Sequence, residues 1–200
     1  VVDCEPGASL YFGVNRALTK EEFKKRIEDN TLTDVLYKAD VKKGDVFFIQ
    51  SGTIHAIGAG VLLYEIQENS TLTYRLYDYG RLGTDGKPRE LHLEKALAVA
   101  TLDCYHPSEK DAADPTLIGL TPYFETHIYK LNFTKIRFFV DKSSFLSLTI
   151  TEGEGEIDGR KCKKGDTFFL PADSGACEIF GDLRVIAVSL PEKRKFSDGE

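Results

Sequence analysis

Lys42-Lys43-Gly44-Asp45-Val46-Phe47-Phe48-Ile49-Gln50-Ser51-Gly52-Thr53-Ile54-His55 decides the fold, because a weaker copy follows at Lys163-Lys164-Gly165-Asp166-Thr167-Phe168-Phe169-Leu170-Pro171. Each copy reads as a tight Lys-Gly-Asp turn feeding a short aromatic strand that ends in a second turn. A repeat with this spacing in 200 residues predicts two similar β units. The copies differ after the strand. The first continues to Gly52 and His55, the second to Asp173, Ser174 and Gly175 without a histidine. One unit is therefore expected to carry chemistry and the other to be structural.

Working outward, residues 9–14 read as a strand, and Thr19-Lys20-Glu21-Glu22 as a capping box in which Thr19 and Glu22 satisfy the first free amides of a helix. Phe23 and Ile27 lie one helical turn apart on its core face, and Leu36 is assigned to a second short helix. Strands are expected over 46–49, 61–67 and 73–79. In the last, Thr73, Arg75, Tyr77 and Tyr79 share one face while Tyr74, Leu76 and Asp78 share the other. Residues 91–100 form a helix with Leu93, Ala96, Leu97 and Ala100 on its apolar side. The Pro- and Asp-containing stretch 104–122 reads as a linker between a unit at 1–103 and one at 123–200. Beyond it, strands are expected at 126–133, 135–140, 145–151, 156–158, 166–170, 176–180 and 184–190, the pattern of a sandwich or barrel. Residues from Pro191 onward read as a polar tail. The whole is mainly β with a small helical insertion.

Composition narrows the function. A formal net charge of −6 argues against a broad nucleic-acid footprint, which needs clustered cations. No apolar run approaches the roughly 20 residues of a membrane helix. The four cysteines, Cys4, Cys104, Cys162 and Cys177, show no paired spacing and read as reduced thiols of a cytoplasmic protein. No phosphate-binding glycine loop, dinucleotide fingerprint, nucleophile elbow or zincin motif occurs.

Three residues stand out. Gly52 allows a tight turn that presents His55 at a barrel mouth, as a metal ligand or as a simple strand-end hydrogen-bonding group. Glu65 shares a strand face with Gln67; a carboxylate facing a barrel interior must be paired, metal-bound or catalytic, whereas on an edge strand it is merely solvated. Arg75, turned inward with Tyr77, suits anion or transition-state recognition, the alternative being an ion pair with Glu65. His92 reads as a packed surface histidine of the helix and His106 as a loop residue.

The run Gly52-Thr53-Ile54-His55-Ala56-Ile57-Gly58, then Glu65-Ile66-Gln67, Thr73-Tyr74-Arg75-Leu76-Tyr77-Asp78-Tyr79-Gly80-Arg81 and Glu90-Leu91-His92-Leu93-Glu94-Lys95-Ala96, resembles the short bacterial type I mannose-6-phosphate isomerases. The resemblance spans nearly the whole chain and is strongest from 41 to 97. It implies two cupin-type jelly-roll units and interconversion of mannose 6-phosphate and fructose 6-phosphate through an enediol. It implies one bound zinc ion, a sugar phosphate as partner, and neither nucleic acid nor membrane. Of the family's four metal ligands only the Gly-Thr-x-His histidine maps here, onto His55, and the others would lie before Val1. Arg75 matches the arginine proposed to assist catalysis, and Glu65 an active-site acid. With one ligand of four, these 200 residues alone are expected to be inactive. Two other readings remain at this point: a metal-free sugar-binding or regulatory cupin, in which Arg75 pairs with Glu65, and another metal cupin such as a dioxygenase.

Overall fold

The computed structural model describes residues 1–70, 72–79, 81–104 and 115–191. The chain divides into two compact units, Val1–Ser108 and Glu109–Glu200. Part of the expected linker, together with His106 and most of the expected polar tail, lies outside the described residues.

In the first unit, β1 (Asp3–Cys4) pairs with β5 (Val61–Leu62), and β2 (Ser9–Val14) lies between β3 (Leu36–Asp40) and β4 (His55–Ile57). Helix α1 (Lys20–Glu28) starts where the sequence predicts, with the Thr19 hydroxyl accepting from the Glu22 amide at 3.1 Å. The other half of the capping box is not made. The Glu22 carboxylate pairs with Arg16 instead, which holds it below the usual carboxylate range, chiefly through the hydrogen bond. Phe23 and Ile27 are buried as their spacing requires, in a cluster with Val14, Leu32, Val35 and Leu97. The expected second helix is a single 3₁₀ turn over Leu32–Val35, and Leu36 already belongs to β3. Helix α2 (Leu93–Val99) buries Ala96 and Leu97 on the predicted face.

Three expected strands of this unit do not form as drawn. Residues 46–49 and 73–79 belong to no strand, and 61–67 contributes only β5. The composition of 46–49 suits a strand, but a strand needs a neighbour to take its backbone hydrogen bonds. Among the described residues none pairs with it, so Phe47 packs on Phe12 (ring centroids 5.7 Å apart) while Val46, Phe48 and Ile49 stay exposed. Without a pleat, the alternation expected for 73–79 also fails. Adjacent Leu76 and Tyr77 both pack against the helical core, Asp78 is buried, and Tyr79 takes a positive φ of 55°.

The second unit is a six-stranded antiparallel sheet: β6 (Leu117–Leu120), β7 (Glu125–Val140), β8 (Leu146–Ile157), β9 (Arg160–Lys163), β10 (Thr167–Leu170) and β11 (Gly175–Ser189). Its order is β10-β8-β11-β7-β6, with β9 also on β8. Here the sequence errs by dividing what is continuous. The pairs 126–133 and 135–140, 145–151 and 156–158, and 176–180 and 184–190 each fuse into one long strand, because β-bulges change direction without ending the pairing. Against β11, β7 carries Phe133 as an extra residue at φ 49°, and β8 carries an extra Thr151 whose hydroxyl donates to the Arg184 carbonyl at 3.2 Å. The bends deliver side chains from both halves of each strand to one core that includes Leu148, Ile150, Ile157, Cys177, Ile179 and Val185. Strand β6 occupies part of the expected linker, and β9 was not anticipated.

The repeated Lys-Gly-Asp turn is the same structure twice. The Asp45 carboxylate accepts from the Lys42 amide at 2.9 Å, and the Asp166 carboxylate accepts from the Lys163 amide at 2.9 Å. Gly44 and Gly165 have φ of 91° and 96°, a backbone region that favours glycine. The turns match, but only the second feeds a paired strand.

Candidate active site

His55 opens β4, opposite Phe12 of β2. Its turn depends on Gly52, at φ 89°, where a Cβ would stand 2.5 Å from the carbonyl oxygen of Val99 at the end of α2. The Thr101 amide donates to the Gly52 carbonyl at 2.9 Å, fixing the turn to the chain just past that helix. The His55 ring is exposed, and its Nδ1 lies 3.0 Å from the Thr53 carbonyl oxygen. A carbonyl only accepts, so Nδ1 carries a proton, and in the neutral ring Nε2 is then the nitrogen with the lone pair. This is the tautomer a metal-ligating imidazole adopts when a backbone carbonyl orients it. The same bond also meets the simpler description of a strand-end histidine.

Arg75 is half-buried in the segment between β5 and α2. Its backbone is held at two points by His92, the residue preceding α2: the Arg75 amide donates to His92 Nδ1 at 3.1 Å, and the His92 amide donates to the Arg75 carbonyl at 2.8 Å. Three residues on, Asp78 binds Arg89 through both carboxylate oxygens, with Arg89 Nε donating to Oδ2 at 2.7 Å. That pairing, followed by burial acting the other way, holds the Asp78 carboxyl below its usual range. Glu65 is exposed. No ion pair joins it to Arg75, and no hydrogen bond joins His55, Glu65 and Arg75 to one another among the described residues. Helix α2 is what the His55 turn and Arg75 share, one braced at its C-terminal end and the other at its N-terminal end.

A cleft of about 300 Å³ lies on the same unit, lined by Ser9, Tyr11, Lys38, Ile57, Tyr79 and Arg81 among others. Strand pairing sets Tyr11 beside Lys38 and Ala56, and Phe12 beside His55. Neighbouring strand residues point to opposite faces, so the cleft's Tyr11 and Lys38 are on the other side of the sheet from the imidazole. Arg81 stacks over Tyr79 at 5.1 Å from the ring centroid. Burial, then the nearby Tyr11, pushes the Tyr79 phenol up, with Arg81 acting in the opposite sense.

Metal binding can be tested against these donors. Zinc takes three or four protein ligands, and among the described residues no group of three or more His, Cys, Asp or Glu side chains could hold a metal ion. The described residues therefore do not by themselves form a complete metal site. The four cysteines form no disulfide with one another, and Cys162 and Cys177 are buried. Sequence reasoning singled out His55, Glu65 and Arg75 and passed over the pairing made by His92 and Arg89, which runs across a loop.

Residues 116–190 match the family description "Mannose-6-phosphate isomerase, cupin domain". The chain is 38% identical over 201 aligned residues to the mannose-6-phosphate isomerase ManA of Bacillus subtilis, covering 95% of this chain and 62% of the relative. It is 32% identical to a mannose-6-phosphate isomerase of Streptococcus mutans, covering 94% of this chain and 61% of the relative. Among solved structures, the mannose 6-phosphate isomerase of Bacillus subtilis superposes with a TM-score of 0.79 at 33% identity, over 94% of this chain and 62% of that one. The chain thus spans about three fifths of the length of the curated relatives it matches.

Proposed function

We propose that the chain belongs to the mannose-6-phosphate isomerase family and that the protein containing it interconverts mannose 6-phosphate and fructose 6-phosphate. The observation that carries this reading is similarity over 95% of the chain to an enzyme of that name, rather than over the C-terminal cupin alone. The geometry is consistent with it. Arg75 is fixed through its backbone, and the alternative binding-module reading, which requires Arg75 to pair with Glu65, finds no such pair among the described residues.

Isomerisation moves a proton between C2 and C1 of the open-chain sugar. In the aldose-to-ketose direction a base takes the C2 proton, the C1 carbonyl oxygen becomes an enediolate oxygen, a proton passes from the O2 hydroxyl to O1, and the abstracted proton is returned to C1 as C2 becomes the ketone carbonyl. Glu65 is assigned the proton transfer. Arg75 is assigned charge stabilisation on the enediolate, where a preorganised cation acts most strongly. A zinc ion belongs to this proposal with His55 as one ligand; its further donors would have to come from outside the described residues, and no step above is routed through it. Four cysteines without a disulfide among them suit a reducing, cytoplasmic setting.

The test is direct interconversion of the two sugar phosphates by the full protein and by Arg75→Ala, Glu65→Gln and His55→Ala. Arg75→Ala is expected to lower kcat by about 100-fold or more, and Glu65→Gln to lower kcat with little change in KM. Wild-type turnover in both, or no isomerisation by the folded, zinc-supplied wild-type protein, overturns the proposal.

A further inference from the structure

We propose that His92 is a positioning residue for Arg75, acting through a side-chain-mediated strand pairing between residues 75–78 and 89–92. In residues 73–79 no backbone ladder is present to fix the chain. Two cross-links do so instead. His92 engages Arg75 through one side-chain and one backbone hydrogen bond, at 3.1 and 2.8 Å, and Arg89 engages Asp78 through its guanidinium. The partners run in opposite directions with equal spacing, Arg75-x2-Asp78 against Arg89-x2-His92, as in an antiparallel pair. Side chains replace two of the groups a sheet would use.

His92 is specialised for this. It stands at the N-cap of α2, where a side chain ordinarily accepts from an amide of the first helical turn, and it makes no such bond. Its Nδ1 instead accepts from Arg75, so Nδ1 is unprotonated and the neutral ring carries its hydrogen on Nε2. The ring lies 6.1 Å from that of Tyr74 at a 46° tilt, which limits its rotation. The helix it precedes is anchored by buried Ala96 and Leu97, so His92 ties Arg75 to the core rather than to a free loop. A guanidinium on a six-bond side chain is only as well placed as its backbone, and displacement by about an ångström can cost roughly 100-fold in rate.

Amide hydrogen exchange on the full protein tests the clamp without reference to activity. His92→Ala is expected to speed exchange of the Arg75 amide by about tenfold, the effect of losing one hydrogen bond of ordinary strength. His92→Asn, whose Oδ1 stands where Nδ1 stood, is expected to restore protection, and His92→Gln is not. Nitrogen NMR of the unmodified protein is expected to show His92 with Nδ1 unprotonated and Nε2 protonated. A protonated Nδ1, an unchanged Arg75 amide in His92→Ala, or equal rescue by Gln and Asn overturns the proposal. The kinetic consequence rests on the isomerase reading: kcat falls in His92→Ala, recovers in His92→Asn, and KM changes little. If the protein isomerises and His92→Ala keeps full kcat, the positioning role is refuted. If the protein does not isomerise at all, that reading falls alone and the exchange data decide the clamp.

Discussion

Gly153 and Gly159 lie six residues apart in the second unit and share a φ of 74°, yet their surroundings differ completely. Gly159 follows Asp158 (φ 48°) in the turn between β8 and β9, and a Cβ added there would meet nothing within 4 Å. A Cβ on Gly153 would stand 2.0 Å from the carbonyl oxygen of Asp182 and 2.9 Å from the Cα of Leu183, both backbone atoms of the neighbouring β11. Placing alanine in the left-handed region costs roughly 1–2 kcal/mol, and this applies equally to both sites. At Gly153 the two strands must also separate by more than an ångström, which adds about 1–3 kcal/mol by analogy with overpacked cores. Gly159→Ala should therefore lose about 1–2 kcal/mol, and Gly153→Ala should lose about 1–3 kcal/mol more. That is a large part of an ordinary domain's 5–15 kcal/mol. The assay is urea unfolding of each variant, followed by labelling of the buried Cys177 thiol, which reports on this unit's core. Equal losses at the two positions would refute the argument that strand contact, rather than torsion alone, demands glycine at Gly153.

Other outcomes follow from the same structure. Burial, with Asp158 beside it, pushes the Cys177 thiol up to about 11, and burial also raises Cys162, so a disulfide reagent at pH 8 should modify the partly exposed Cys4 and Cys104 first and the other two only on unfolding; rapid modification of all four in the native protein would contradict this. Because Arg89 lowers the folded-state carboxyl of Asp78, the pair's stabilisation is fully present above the unfolded value of about 3.9 and is lost as pH falls through the lower folded value. Acid titration of Asp78→Asn should accordingly show less loss of stability below pH 4 than the wild type, and identical acid profiles would remove the pair from the account. Thr19→Ala should lower the first unit's stability by about 1 kcal/mol, and Thr19→Ser should restore most of it, measured by urea midpoint.

Where a structural signal is local, the residues reveal it unaided. The Lys-x-Gly-Asp turn needs one carboxylate three residues from the amide it accepts, and both copies form the same bond. Thr19 and the Phe23–Ile27 spacing likewise place the start and buried face of α1 within a single turn of helix. The turn that carries His55, with Gly52 before it, is legible because it is built from neighbours in sequence, although the Val99 carbonyl that makes glycine necessary at position 52 is supplied by a distant helix.

What the tertiary structure decided are the features that require partners. Residues 46–49 look like a strand and are not one, since strand character is a property of a pair and no paired neighbour is present among the described residues. The interrupted strands of the second unit prove continuous because residues such as Gly153 in β8 and Gly181-Asp182 in β11 are of the kind that a bulge and a chain end share. Arg75 could be named from the chain alone, but its placement could not: the bonds to His92 and from Asp78 to Arg89 cross a loop and show no periodicity, only a reversed spacing that gains meaning once the two segments run side by side. Periodicity records which way a regular element faces, whereas a hydrogen bond between irregular segments depends on where folding brings them together.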